Sequence, residues 1–335
     1  MRGHKYLKHA LAPLEAALND PYVTDICVNR PGEVMIRRAG RWETLAVPRY
    51  DFDTLDAITI VVGQLTGREF DEANPYVNST LPGGQRFQGV RPPGTKAGRI
   101  LWAIRRPPTV ARRLDDDDFD DLTEDTNTGL SRRVRSVGAI ADAFRDKQWR
   151  EVIRIARMSG QSIAFVGATG GGKTDVVRRA IQVHPDNARM VTIETDDELG
   201  EIGPPNKAPM FYDDGAMTAD EAVRIALRLI PKEIVLQEVR GAEAYPMLRA
   251  ASTGHSVITT WHGEMGREHD ALCTMARMHV AGREMSEERL MQMARDAFDV
   301  VAYCEFNDVK NRFSISVTAQ PGASALCPCN VSRIA

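Results

Sequence analysis

Eight residues, Gly167, Ala168, Thr169, Gly170, Gly171, Gly172, Lys173 and Thr174, match the spacing G-x-x-x-x-G-K-[ST] in full. The apolar run QSIAFV leads into them and the helix-like run TDVVRRAIQVH leads out. Glycines let a backbone curl until successive N–H groups point inward at phosphate oxygens. The N-terminal end of the outgoing helix adds positive potential at the same place. Lys173 is therefore expected to bridge the β- and γ-phosphates of a nucleotide. The Thr174 hydroxyl is expected to ligate Mg²⁺, a hard cation that takes oxygen ligands. Asp175 follows directly and is grouped with the loop as a nucleotide-contacting residue.

A phosphate loop alone does not specify hydrolysis, which also needs a carboxylate and a positioned water. Two apolar runs downstream end in acids. RMVTIE ends in Glu194, with Asp196, Asp197 and Glu198 just beyond, and EIVLQE ends in Glu238. In a parallel sheet the C-terminal strand ends share one edge with the phosphate loop. Both glutamates are thus expected to reach the Mg²⁺ water shell or the attacking water. A further run, SVITTWHG, carries Thr259, Thr260 and His262 and follows Thr253-Gly254-His255. All of these polar groups are expected at that same edge, where hydrogen bonds to a γ-phosphate would sense its presence.

The elements that must hold these residues alternate in type. After residue 161, short β-rich runs alternate with helical patterns, which predicts an α/β domain: a parallel sheet with helices on both faces. Helices are expected over 137–158 and 218–230, the second opened by a capping box of Thr218 and Glu221. Residues 24–47 and 74–106 read as short strands and turns around a helix over 53–66, so the first 106 residues form a smaller α+β unit. Residues 1–20 read as one amphipathic helix, with Leu7, Leu11, Leu14 and Leu18 recurring every three or four positions. At about 150 residues per domain the length of 335 predicts two domains. Their expected bounds are 1–106 and 136–335, joined over 107–135 by a linker with acids at Asp115 to Asp118, Asp120 and Asp121.

Lys+Arg is 43 and Asp+Glu is 46, a net charge of −3, which excludes a surface that is basic throughout for nucleic acid. Aromatic residues are 6% and form no basic, aromatic-bearing stripe, so direct nucleic-acid binding is not indicated. No apolar stretch approaches the roughly 18–20 residues of a membrane span. Pro13 and Glu15 interrupt the N-terminal apolar pattern that a signal peptide would need. Five cysteines at irregular spacing read as reduced thiols of a cytoplasmic protein, and Cys327-Pro-Cys329 lacks the spacing of a metal pair.

With the phosphate loop, the segments ALRLIPKEIVLQEVRGAEA and STGHSVITTWHG resemble the secretion traffic ATPases, the hexameric ATPases of type IV secretion and conjugal DNA transfer. The family's four boxes (Walker A, acidic, Walker B, histidine) occur in order. The segments DPYVTDICVNRPGEVMIRRAGRWETL and LPGGQRFQGVRPP look like its N-terminal strands, so the resemblance covers about residues 15–305. It implies a RecA-like P-loop NTPase domain at the C-terminal side and a smaller α+β domain before it. It implies a homo-hexameric ATP-hydrolysing motor with ATP and Mg²⁺ as cofactors. Such a motor lies in the cytoplasm, peripheral to the inner membrane, and works with inner-membrane secretion or conjugation components in export or pilus biogenesis.

By position, Glu194 matches the acidic-box glutamate, a general base or water-positioner. Glu238 matches the Walker B glutamate, which holds the metal through water, and His262 the histidine-box residue. An arginine from the N-terminal side reaches the phosphates in this family. Arg105 fits that place, with Arg106 and Arg133 as alternatives, and would neutralise charge developing on the transferred group. Three departures bear on turnover: Thr195 follows Glu194 where Asp is common, Gln237 precedes Glu238 where Gly is common, and Asp175 replaces a neutral residue. The missing C-x-x-C pairs favour the type IV branch over type II secretion. Two other functions share these motifs: a DNA-translocating RecA-like ATPase, and a nucleotide-gated scaffold with little turnover.

Overall fold

The computed structural model describes residues 2–106, 129–213, 215–280, 285–307 and 312–318. The acidic run of the expected linker lies outside them, as do Cys327 and Cys329. The described chain forms two compact units. The first holds the residues up to 106 together with Ile193–Asp197 and Asn206–Pro231; the second holds 129–192, Glu198–Pro205 and the chain from Lys232 on.

The first unit begins with α1 (Arg2–Ala10), a 3-10 turn (Ala12–Leu14) and α2 (Glu15–Asn19). The single helix expected over 1–20 is thus broken. Pro13 has no N–H to give and its ring clashes with the carbonyl four residues back. The apolar face survives the break: Leu7, Leu11 and Leu14 are buried in the unit's own core with Leu55, Ile58 and Trp102. An antiparallel sheet of order β3-β2-β1-β6-β5-β4 follows. Its strands are β1 (Val23–Val28), β2 (Glu33–Arg38), β3 (Arg41–Ala46), β4 (Tyr76–Thr80), β5 (Arg86–Val90) and β6 (Leu101–Arg105). Asp51 caps α3 (Phe52–Leu65) by accepting from the Thr54 N–H at 2.8 Å. Side chains alternate across β6, so Trp102 and Ile104 enter this core and the Trp102 indole donates to Thr59 Oγ1 at 2.7 Å. Arg105 therefore points to the sheet's other face.

The second sheet has the order β13-β12-β7-β11-β10-β8-β9. Its strands are β7 (Ile163–Val166), β8 (Met190–Glu194), β9 (Lys207–Phe211), β10 (Glu233–Leu236), β11 (Ser256–Trp261), β12 (Val300–Asn307) and β13 (Arg312–Thr318). β12, β7, β11 and β10 run parallel, and β13 pairs antiparallel at the edge. Helices α4 (Gly129–Arg145), α5 (Trp149–Ser159) and α6 (Lys173–Ala180) share a core with Ile163, Phe165, Val235, Ile258 and Val300. Residues of opposite parity face α8 (Ala244–Ser252), α9 (Glu268–Val280) and α10 (Glu287–Ala297): Trp261 packs on Phe298 at 5.2 Å and donates to the Glu268 carbonyl at 2.6 Å. The helix expected over 137–158 is two helices, parted at Lys147, which takes φ 55°.

α7 (Ala219–Ala226) opens with the expected capping box, Thr218 and Glu221 bonding reciprocally. It ends at Ala226, before the expected residue 230, and passes through tighter turns, with Arg228 N–H donating to the Ile225 carbonyl and Leu229 N–H to that of Ala226; at Ile230, which takes φ 60°, Pro231 disfavours the helical region.

A buried ion pair fixes the phosphate-loop helix to the sheet. Arg157 of α5 is fully buried and donates through Nε to the Ala180 carbonyl, the last residue of α6, at 3.0 Å. Its two terminal nitrogens hold both oxygens of Glu233 at the start of β10, one of them at 2.9 Å.

Candidate active site

β7 delivers the phosphate loop to the C-terminal edge of the parallel sheet. Gly170 and Gly172 take φ 76° and 83°, a region that L side chains rarely adopt, and Gly172 leads straight into α6. The loop lies on the carbonyl of Cys304 in β12. A Cβ on Gly171 would stand 2.7 Å from that oxygen, and one on Gly167 would overlap it. Glycine is thus required here by close approach as well as by curvature. Ala168, Thr169 and Gly170 are exposed at the crest, so their backbone is open to a ligand.

Lys173 is 8% exposed, and Nζ donates to the loop's own carbonyls, Gly167 O at 3.0 Å and Ala168 O at 2.9 Å. Burial pushes its pKa below the usual lysine value, against the opposing pull of Glu238 and of Cys304. Thr174 sits half-buried on the first turn of α6. Asp175 accepts from Arg179 one turn on at 2.8 Å.

Glu238 lies two residues past the end of β10, and His262 one residue past β11. Leu236 pairs with Thr259, and Trp261 with Val166, so both groups stand level with the loop. His262 bridges them: Nδ1 is 3.4 Å from Lys173 Nζ and Nε2 is 2.8 Å from Glu238 Oε1. The ring thus stands between the lysine ammonium at Nδ1 and the carboxylate at Nε2. The backbone beneath is pinned. Thr260 Oγ1 donates to the Gln237 carbonyl at 2.9 Å, and the Val239 N–H to the Thr260 carbonyl at 2.8 Å.

The expectation that His255 and Thr253 join this edge is not met. Both precede β11, whose six residues extend the chain by about 20 Å. Ser256, next to His255, donates to Gln161 ahead of β7, at the opposite edge.

Glu194 and Arg105 belong to the first unit. Glu194 is fully buried at the end of β8, and its carbonyl accepts from the Tyr212 N–H at 3.1 Å. Thr195 and Asp196 are exposed beyond it, and Asp197 pairs with Lys96 at 2.6 Å. Arg105 is half-exposed and donates through Nε to Asp25, itself 1% exposed, at 3.0 Å. Arg106 donates to the carbonyls of Asp20 and Val23, and the Arg133 side chain lies outside the described residues.

Comparison with known proteins bears on the whole chain. The family "Type II/IV secretion system protein" matches residues 131–329. The type IV secretion system protein VirB11 of Brucella suis is 31% identical over 310 residues, covering 88% of this chain and 84% of the relative. VirB11 of Agrobacterium tumefaciens is 29% identical over 309 residues, covering 88% of each. The crystal structure of the VirB11 ATPase from the Brucella suis type IV secretion system in complex with sulphate superposes with a TM-score of 0.87, covering 97% of this chain and 98% of that one at 31% identity. The chain belongs to this family, alongside the VirB11 proteins of type IV secretion.

Membership carries the two-domain secretion-ATPase architecture with a RecA-like core, and with it a nucleotide-binding ATPase site. Arg240 is the participant that sequence reasoning missed. Its Nε and a terminal nitrogen lie 2.8 and 2.6 Å from Glu238 Oε2, on the side opposite His262. Its position within the Walker B segment is the only sequence signal for it. The Cys304 carbonyl carried none.

Proposed function

We propose that the protein hydrolyses ATP to ADP and phosphate with Mg²⁺. We further propose that it works as a homo-hexameric motor of a type IV secretion or conjugation apparatus, powering substrate export or pilus biogenesis. The chain of Lys173, His262 and Glu238, assembled within hydrogen-bond reach at the mouth of the phosphate loop, carries this reading. Gly167 to Thr174 wrap the triphosphate with backbone N–H groups. Lys173, already buried against the loop carbonyls and the His262 ring, exchanges those partners for phosphate oxygens. A magnesium ion held by the Thr174 hydroxyl, with Glu238 behind a water, would neutralise phosphate charge. Glu238 orients or deprotonates the attacking water, with Glu194 as the acidic-box partner. His262 reports on the γ-phosphate through Lys173. Arg105 would supply positive charge to the transferred group, and Asp25 accepts from its Nε.

The functional divisions on this reading are 1–106, a linker over 107–135 and a motor domain over 136–335, although α4 already starts at Gly129 and Ile193–Asp197 and Asn206–Pro231 pack with the first unit. No helix among the described residues is long and apolar enough to cross a membrane. A cytoplasmic location against the inner-membrane secretion components fits the family, with any membrane contact peripheral.

Phosphate release with Mg-ATP tests the reading. Glu238→Gln should abolish turnover and keep ATP binding, and the mass of the full-length particle should rise to six chains with Mg-ATP. Unchanged hydrolysis in Glu238→Gln would remove the assigned role. A nucleotide-gated scaffold is the second reading. It draws on the double engagement of Glu238 and on Thr195 and Gln237, and it predicts tight ATP binding with negligible phosphate release in the parent protein.

A further inference from the structure

The partners of Glu238 leave its carboxylate little freedom for chemistry. Oε1 accepts from His262 Nε2 at 2.8 Å, and Oε2 accepts two hydrogen bonds from Arg240 at 2.8 and 2.6 Å. A base or water-positioner needs an oxygen turned to the water, and a guanidinium that grips one oxygen with two N–H groups withholds it. The neighbouring backbone is fixed, so this grip can open only at the arginine side chain. The N–H groups of Arg240 and Gly241 are both held by the buried Glu243 carboxylate, and Gln237 and Val239 are tied to β11. The Arg240 side chain itself is 64% exposed, while the glutamate it holds is 18% exposed. The movable member of the pair is the one at the surface.

We propose that Arg240 is a latch: it holds Glu238 out of its working position while the phosphate loop is empty, and turnover requires its release. The proposal rests on Glu238 being the carboxylate of hydrolysis. The other end of the same chain supplies the link to nucleotide. When Lys173 leaves Gly167 O, Ala168 O and His262 for phosphate oxygens, His262 loses its donor at Nδ1 and is free to shift at Nε2. Glu238 then loses one of its two anchors, and the exposed Arg240 side chain can swing away from the shifted carboxylate. Arg240 acts through Glu238 and is a positioning residue.

Steady-state phosphate release by the full-length chain with Mg-ATP separates the possibilities. Arg240→Gln should raise kcat about fivefold with KM for ATP unchanged, which at about 1.36 kcal/mol per decade is about 1 kcal/mol, the scale of a part-exposed ion pair. Arg240→Lys, which keeps the charge but not the two-pronged grip, should fall between parent and Arg240→Gln. A gain in rate is not what a damaged fold produces. An unchanged or lower kcat in Arg240→Gln, beside an inactive Glu238→Gln, would overturn the latch and leave the assignment of Glu238 standing. Turnover in Glu238→Gln at the parental rate would remove that assignment and the latch with it.

Discussion

Replacing Glu233 by Gln should destabilise the second unit far more than a surface change would. The substitution keeps the shape of the side chain and removes its charge. Arg157, fully buried, would then hold a guanidinium with no counter-ion, because its other bond goes to the neutral Ala180 carbonyl. Removing one member of a buried pair leaves an uncompensated charge and costs about 3–5 kcal/mol. Arg157→Met should cost about as much, since it strands the Glu233 carboxylate with only a 3.4 Å bond from Ser256 Oγ. If the two losses were independent, Arg157→Met combined with Glu233→Gln would cost about 6–10 kcal/mol. The pair is predicted to behave otherwise. Removing both charges together removes both desolvation penalties, so the double variant should be more stable than either single one. Urea unfolding followed by circular dichroism, on the full chain with and without ATP, reads all four proteins. A single variant within about 1 kcal/mol of the parent, or a double variant that shows the summed loss, would refute this account of how α6 is held.

Burial raises the Cys304 thiol to about 12 and the Cys273 thiol to about 11, from an ordinary 9.0. A raised thiol pKa lowers the thiolate fraction at pH 8, for Cys304 by about a thousandfold. Alkylation mapped by mass spectrometry should therefore be slow at both residues in the folded chain and fast in urea, and rapid native labelling of Cys304 would contradict the packing of β12 under the phosphate loop. Arg105→Gln should lower kcat about a hundredfold with little change in ATP affinity, as expected for a charge that acts on the transition state. Asp25→Asn should move kcat the same way but less, and an equal loss of affinity in Arg105→Gln would make it a binding residue instead.

Much of the site is legible in the order of residues because its chemistry is local. The phosphate loop needs a strand, glycines at fixed offsets, Lys173 and a helix, and all lie within twenty consecutive residues. Glu238 and His262 are readable because parallel strands end together, a rule that turns position in a strand into position in space. The same rule misplaces His255 when a strand's beginning is read with its end. Helix limits are less readable. Nothing at Lys147 announces a break, for neither Gly nor Pro stands there, and Pro231 marks only that the helix cannot include Ile230, not its end at Ala226. The strands β9, β12 and β13 go unread, although β12 lies beside β7 and provides the carbonyl beneath Gly171. Contacts made through a backbone atom leave no mark in residue type. The grip of Arg240 on Glu238 depends on a rotamer, and spacing does not predict it.

The central claim is that the loop around Lys173 binds and hydrolyses a nucleoside triphosphate. Mg-ATP binding and phosphate release, measured side by side on the full-length parent and on Lys173→Ala, test it most directly. Saturable binding with turnover in the parent, and loss of both in the folded variant, is the predicted result. Binding and turnover that survive the loss of Lys173, or a folded parent that ignores ATP with magnesium, would contradict it.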